Sequence, residues 1–81
     1  MKTLSQDHVL LIKKTCPYCM KVLMAAEELK IALQSRDVAQ DAAAHALLLQ
    51  RGGKQQVPCL LHGEQAMYES EAIITYLRAQ A

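Results

Sequence analysis

The apolar positions of this chain fall into runs of distinct period. Val9-Leu10-Leu11-Ile12 is short and nearly continuous, and polar residues flank it, which favours a buried strand over His8 to Ile12. Lys13-Lys14-Thr15-Cys16-Pro17 breaks that run, and Pro17 suits the first position of a helix, where a missing N–H costs nothing. From Tyr18 to about Leu33 the spacing turns helical, with Val22, Ala25/Ala26, Leu29 and Ala32/Leu33 three or four residues apart. Arg36-Asp37-Val38-Ala39 carries a weak strand signal. Asp41 is a fair N-cap for a helix over Ala42 to Gln50, with Arg51 in its last turn and Gly52-Gly53 ending it. Gln55 to Leu61 reads as a strand interrupted awkwardly by Pro58, which cannot donate to a ladder. His62-Gly63-Glu64-Gln65 reads as a turn and Ala66-Met67-Tyr68 as a returning strand. Ser70 is expected to cap a last helix whose apolar face is Ala72, Ile73, Tyr76 and Leu77. The predicted order is β-α-β-α-β-β-α.

Composition narrows the function classes. With 81 residues the chain is expected to be one domain over 1–81, with no room for a second core. A hydrophobic fraction of 52% and a charged fraction of 21% predict a folded globule. Nine Lys and Arg against eight Asp and Glu leave a net charge of +1, too little for general nucleic-acid binding, which leans on many phosphate contacts. No apolar run approaches the roughly 20 residues that span a bilayer, and Met-Lys-Thr-Leu-Ser-Gln-Asp-His is not a signal peptide. A cytoplasmic, monomeric protein is expected. Without Trp or Phe, the core must come from Leu, Ile, Val, Met and Ala.

Three cysteines do not make a secreted disulfide scaffold. Cys16-Pro17-Tyr18-Cys19 therefore invites three readings: half of a zinc site, an inert core pair, or a redox dithiol. Zinc needs more ligands, and Cys59, His8, His45 and His62 are scattered along the chain. The position after a first strand favours the dithiol. Cys16 would stand at the helix N-cap, facing the N–H groups of Tyr18 and Cys19 and the positive dipole end, with Lys13, Lys14 and Lys21 nearby. Each influence favours thiolate, and such settings bring cysteine pKa values to roughly 3.5–7.5. Cys19 lies one turn inside, so Cys16 is the expected nucleophile and Cys19 the resolving thiol. Val57-Pro58 can be a cis peptide presenting the Val57 backbone to an extended substrate, or a trans edge-strand proline.

Lys13-Lys14-Thr15-Cys16-Pro17-Tyr18-Cys19 resembles the active-site segment of glutaredoxins. Gly52-Gly53-Lys54-Gln55-Gln56-Val57-Pro58 resembles that family's approach to its cis-proline. The resemblance implies an α/β thioredoxin fold, with a four-stranded mixed sheet and three flanking helices, and a cis Pro58. It also implies glutathione-dependent reduction of protein disulfides and of glutathionylated proteins. Glutathione is then the reducing co-substrate, no metal is expected, and the potential should lie at roughly −200 to −230 mV. Carried over residue by residue, Lys13, Tyr18, Gln56, Val57, Pro58, Ser70 and Glu71 would hold glutathione, with Lys13 on its glycine carboxylate.

The sequence departs from the family in two places. Gln56 stands where a Thr is usual. Met67-Tyr68-Glu69-Ser70-Glu71 replaces a Gly-Gly pair and an acidic pair, and resembles the Glu-Ser segment of glutathione-transferase N-terminal domains. There Ser70 can offer a hydroxyl and an N–H to a carboxylate, and Glu69 or Glu71 a charge to an ammonium. Two rival functions remain: a thioredoxin-like carrier that uses the same dithiol and is served by a reductase, and an iron–sulfur carrier in which Cys16 and glutathione from two subunits hold a cluster, where family members usually lack the proline that here, as Pro17, stiffens the loop. Cys59 is expected to be a passive surface or half-buried thiol on the strand face opposite Leu60, and the three histidines to be surface residues.

Overall fold

The computed structural model describes residues 2–4 and 7–81; Met1, Ser5 and Gln6 of the N-terminal segment read above lie outside the described residues. Two-residue strand β1 (Lys2–Thr3) is followed by β2 (His8–Ile12), α1 (Pro17–Glu28), β3 (Ile31–Ala32) and β4 (Gln34–Asp37). Helix α2 (Ala42–Leu47) runs into one π-helical turn, Leu48–Gly52, and β5 (Cys59–His62), β6 (Gln65–Met67) and α3 (Ser70–Gln80) complete the chain. The main sheet has the order β4-β2-β5-β6, with β2 and β4 parallel and the other pairs antiparallel. β1 and β3 form a small parallel pair of their own.

Strand alternation divides the core into two layers. Leu10 and Ile12 of β2 and Leu60 of β5 point to one face, where Cys19, Val22 and Ala26 of α1 and Ile73, Ile74 and Leu77 of α3 cover them. Leu11, Cys59 and Leu61 point to the other face, against Val38, Ala44 and Leu48. Each fully buried aliphatic side chain contributes about 1.5–3 kcal/mol. With no Trp or Phe, small residues such as Ala26 and Ala44 let the helices approach the sheet closely. This is the thioredoxin arrangement that the resemblance implied, a mixed four-stranded sheet between α2 on one side and α1 with α3 on the other.

Several boundaries differ from the sequence expectation. α1 stops at Glu28, not Leu33, because Lys30 takes a left-handed conformation (φ 57°) and turns the chain so that Ile31 pairs with β1. The second full strand is Gln34–Asp37, two residues earlier than Arg36–Ala39. Asp41 caps α2 as expected, its carboxylate accepting from the Ala44 N–H at 3.1 Å. Gly53, in the left-handed region at φ 77°, ends the π turn. Gln55–Pro58 is not strand, and His62 belongs to β5 rather than to the turn. In α3, Ser70 is the first helical residue and Glu69 the N-cap, and Ile74 is buried while Ala72 is exposed.

Candidate active site

The loop after β2 brings Cys16 to the start of α1. Cys16 is the N-cap in extended conformation and Pro17 the first helical residue. The Met20 N–H donates to the Cys16 carbonyl at 3.1 Å, closing the first turn. The Cys16 side chain makes no full capping hydrogen bond, so its sulfur interacts with the helix end mainly through charge and dipole.

The two thiols are driven apart. Partial burial raises the Cys16 pKa, but the Cys19 backbone, the Cys19 thiol, the Tyr18 backbone and the charge of Lys13 outweigh it, and the net result is below the ordinary thiol value. Cys19 is fully buried, and burial pushes its thiol up to about 11. A Lys13 backbone hydrogen bond opposes that rise, and the neighbouring Cys16 and the Asp37 charge add to it. The charge of Lys13 thus acts on the Cys16 thiol. Lys21 instead forms an ion pair with Glu71 that ties α1 to α3.

A groove of about 240 Å³ opens beside this helix end, lined by Tyr18, Gln56, Val57, Pro58, Glu69 and Ser70. The Val57–Pro58 peptide is cis. Pro58 is buried, Val57 half-buried and Gln56 exposed, and Val57 joins none of the described strand pairings. Glu69 sits in the left-handed region at φ 71°, which costs of order 1–3 kcal/mol in a non-glycine residue and recurs where a site needs it. That conformation places Glu69 before the N-terminus of α3, next to the buried Ser70.

The fold therefore gathers five of the sequence-predicted binding residues, Tyr18, Gln56, Val57, Pro58 and Ser70, around one groove. Two stand apart. Lys13 lines a neighbouring cavity with Gln55 and His45. Glu71 lies over the α1–α3 face, where its carboxyl is held below the usual carboxylate range by Lys21. Glu69 takes the groove position that the sequence left open between the two acids. Its left-handed backbone, which no side-chain pattern signals, sets it at the start of α3 beside Ser70.

Tyr68 carries a role the sequence did not indicate. Its hydroxyl donates to the Lys54 carbonyl at 3.1 Å and accepts from the Lys54 N–H at 3.3 Å, bracing the loop that leads to Val57. A Cβ on Gly52 would lie 1.9 Å from that same oxygen, so any side chain there must displace the Tyr68 ring. Cys59 is wholly buried rather than at the surface, because the π turn and α2 cover its face of β5; burial raises its pKa, partly offset by a hydrogen bond with Tyr68.

This sheet order, helix placement and cis-proline groove define a thioredoxin-like domain. Residues 10–81 match the family described as glutathione S-transferase, N-terminal domain, and the chain belongs to that family. Among solved structures, the thioredoxin-like protein BC3987 is similar with a TM-score of 0.75 at 21% identity, over 86% of this chain and 97% of that one. A buckwheat glutaredoxin in complex with glutathione matches at 0.70 and 25%, over 91% of this chain and 70% of its own. The rice glutathione transferase GST1, also solved with glutathione, matches at 0.75 and 26%, over 93% of this chain. The chain spans about a third of the rice protein, 34%. No curated protein matches it. No helix among the described residues is long and apolar enough to cross a membrane.

Proposed function

We propose that the protein is a glutathione-dependent thiol–disulfide oxidoreductase of the glutaredoxin kind, acting as a monomeric single domain in a reducing, cytoplasmic setting. The observation that carries this reading is the pair of opposed thiols: Cys16 depressed at a helix N-cap, Cys19 raised to about 11 one turn inside, beside a groove bounded by Val57 and Pro58.

The Cys16 thiolate attacks the glutathione sulfur of a glutathionylated protein. The S–S bond breaks, the protein leaves as thiolate and takes a proton, and Cys16 holds the glutathionyl group. A second glutathione thiolate attacks that mixed disulfide, releasing oxidised glutathione and regenerating Cys16. With a protein disulfide, Cys16 forms a mixed disulfide with one substrate sulfur. Cys19 loses its proton and displaces that sulfur, leaving Cys16–Cys19 oxidised. The raised Cys19 pKa keeps it protonated and out of the first attack.

In the groove, the exposed backbone of Val57 pairs with the tripeptide as an added strand would. The Ser70 hydroxyl and the first N–H groups of α3 receive the γ-glutamyl carboxylate, and Glu69 its ammonium. Lys13, at the other end, meets the glycine carboxylate. The likeness to glutathione-bound buckwheat glutaredoxin and rice transferase supports this assignment.

A thioredoxin-like carrier is the second reading: it would use the same dithiol, and the domain shares its fold with the thioredoxin-like protein BC3987. Reduction of a small glutathione mixed disulfide by glutathione alone tests the first reading. Turnover without any added reductase is expected; turnover only with a reductase supports the carrier.

A further inference from the structure

At the opposite end of β2 from Cys16 the fold assembles a cluster that the redox chemistry does not use. His8 opens β2 and His62 closes β5, and the antiparallel register sets them directly opposite each other. Their rings stack, with centroids 3.9 Å apart and 19° between planes. The expectation of a surface position holds for His62, which is exposed, and fails for His8, which is only 6% exposed.

The two rings are bracketed on both edges. On one edge the Tyr76 hydroxyl lies 2.7 Å from His8 Nε2 and 3.4 Å from His62 Nδ1. On the other edge the Asp7 carboxylate lies 3.8 Å from His8 Nδ1 and 3.5 Å from His62 Nε2. Asp7 is itself fixed by its main chain, because its carbonyl accepts from the Gly63 N–H at 3.1 Å in the β5–β6 turn.

We propose that Asp7, His8 and His62 form a binding site for a divalent transition-metal ion of the zinc type. One atom from each residue comes together, all within 4.8 Å of one another. Two ligands on a tetrahedral zinc stand roughly 3.3–3.5 Å apart, given metal–ligand distances of about 2.0–2.2 Å. The two His–Asp separations lie near that spacing but reach different carboxylate oxygens, Oδ1 toward His8 and Oδ2 toward His62, so the half-exposed His62 and Asp7 side chains must turn to bring one oxygen to both rings while His8 stays anchored. The tautomers can be satisfied as well. The Tyr76 oxygen has two lone pairs and can accept an N–H from each ring. With an ion bound, that leaves the lone pairs of His8 Nδ1 and His62 Nε2 for the metal, beside Asp7. Metal-bound histidines regularly hold their second nitrogen in this way. Water completes the fourth position. Such a site clips the N-terminal segment, β2, β5 and, through Tyr76, α3 together in a small core.

The test is titration of Zn²⁺ into the full chain carrying Cys16→Ser and Cys19→Ser, so that the dithiol does not compete. One ion per chain is expected, with the His8 and His62 ring resonances shifting together and those of His45 unmoved. His62→Ala, at an exposed position, should weaken binding at least tenfold without unfolding the chain. Tyr76→Phe should weaken it by roughly tenfold through the lost second-nitrogen bond. Zinc uptake that disappears with the two cysteines, that is indifferent to His62→Ala, or that shifts His45 equally would overturn the proposal.

Discussion

The two ends of β2 are built in opposite ways. Beyond its last residue lies Cys16, whose thiol is set by burial and by near neighbours: Cys19, Tyr18 and, three residues back, Lys13. At its first residue lies His8, whose surroundings come from far along the chain: His62 across the sheet and Tyr76 from α3, 68 residues away. The first end is a local device that a seven-residue peptide already spells out. The second exists only when the sheet register and the last helix are in place. The four steps of strand from His8 to Ile12 span ~13 Å at about 3.3 Å per step, and Cys16 lies beyond that. This exceeds the screening length of about 8–10 Å in physiological salt for exposed charges. Each end should therefore respond to substitution without the other, and the predictions below probe that independence.

The largest effect is expected at the thiols. Cys16→Ser should abolish reduction of both a glutathionylated peptide and a disulfide-bonded protein, since Cys19 lies buried and protonated. Cys19→Ser should retain most of the first activity, where free glutathione makes the second attack, and lose most of the second, where Cys19 must displace the bound substrate. Assaying both variants on both substrates decides it; equal loss of both activities in Cys19→Ser would sink the mechanism.

Next in size is the separation of the two thiols by pH. Thiolate is the alkylating form. Because the Cys16 pKa is lowered, its labelling should persist at pH values below the ordinary thiol pKa of 9.0 and fall only as pH drops through its own value. Cys19 labelling should rise only as pH approaches about 11. Mass spectrometry after brief iodoacetamide exposure reads both. Lys13→Ala should move the Cys16 curve to higher pH, and His62→Ala should leave it in place. A shift with His62→Ala would show that the two ends communicate.

The same contrast explains how much was legible in the sequence. The strand His8–Ile12, the Pro17 helix start, the Asp41 cap and the Val57–Pro58 segment are all written in neighbouring residues, and the structure reproduces them; the Cys16–Cys19 spacing is an equally local signal. The misplacements arise where backbone conformation or distant packing decides. Lys30 is a good helix former, and Ala32/Leu33 continue the helical spacing, so nothing local announces that Lys30 will turn left-handed and free Ile31 for a strand. Glu69 likewise adopts φ 71° without a glycine to signal it, and so takes the groove position while Glu71 turns to Lys21. Cys59 and His8 are buried by elements far away in the sequence, α2 with its π turn and α3. Strand alternation correctly set Cys59 opposite Leu60, but alternation cannot say whether that face is covered.

A smaller effect is expected at Gly52, which bears on the groove end without touching a thiol. An alanine there must displace the Tyr68 ring, whose nearest atoms lie 1.9 and 2.9 Å from the new methyl. The ring cannot swing freely, because its hydroxyl holds both backbone groups of Lys54. Overpacking of this kind costs about 1–3 kcal/mol. Gly52→Ala should lower the urea midpoint accordingly and shift amide resonances through Gln55–Val57, while the His8 and His62 rings stay unchanged. If the midpoint holds and the Gln55–Val57 amides do not move, Tyr68 does not brace the loop.

The smallest effect belongs to Tyr76, and it tests the far end alone. Removing its hydroxyl takes away the group shared by His8 Nε2 and His62 Nδ1. The exposed His62 can turn to water, but His8 is buried and loses its 2.7 Å partner. A net hydrogen bond contributes about 0.5–1.5 kcal/mol, and leaving a buried partner unsatisfied moves the loss toward the upper end. Phenylalanine keeps the ring that packs against the α1–α3 layer, so no cavity adds to the cost. Tyr76→Phe should therefore lower the urea midpoint by ~1 kcal/mol equivalent with an unchanged m-value. The Cys16 alkylation profile should not move, because that thiol answers to Lys13 and the first turn of α1. A stability loss near zero would mean that the histidine stack holds itself together without the phenol. A displaced alkylation profile would mean that α3 transmits the change to the helix it is tied to through Lys21 and Glu71, and that the two ends are one device.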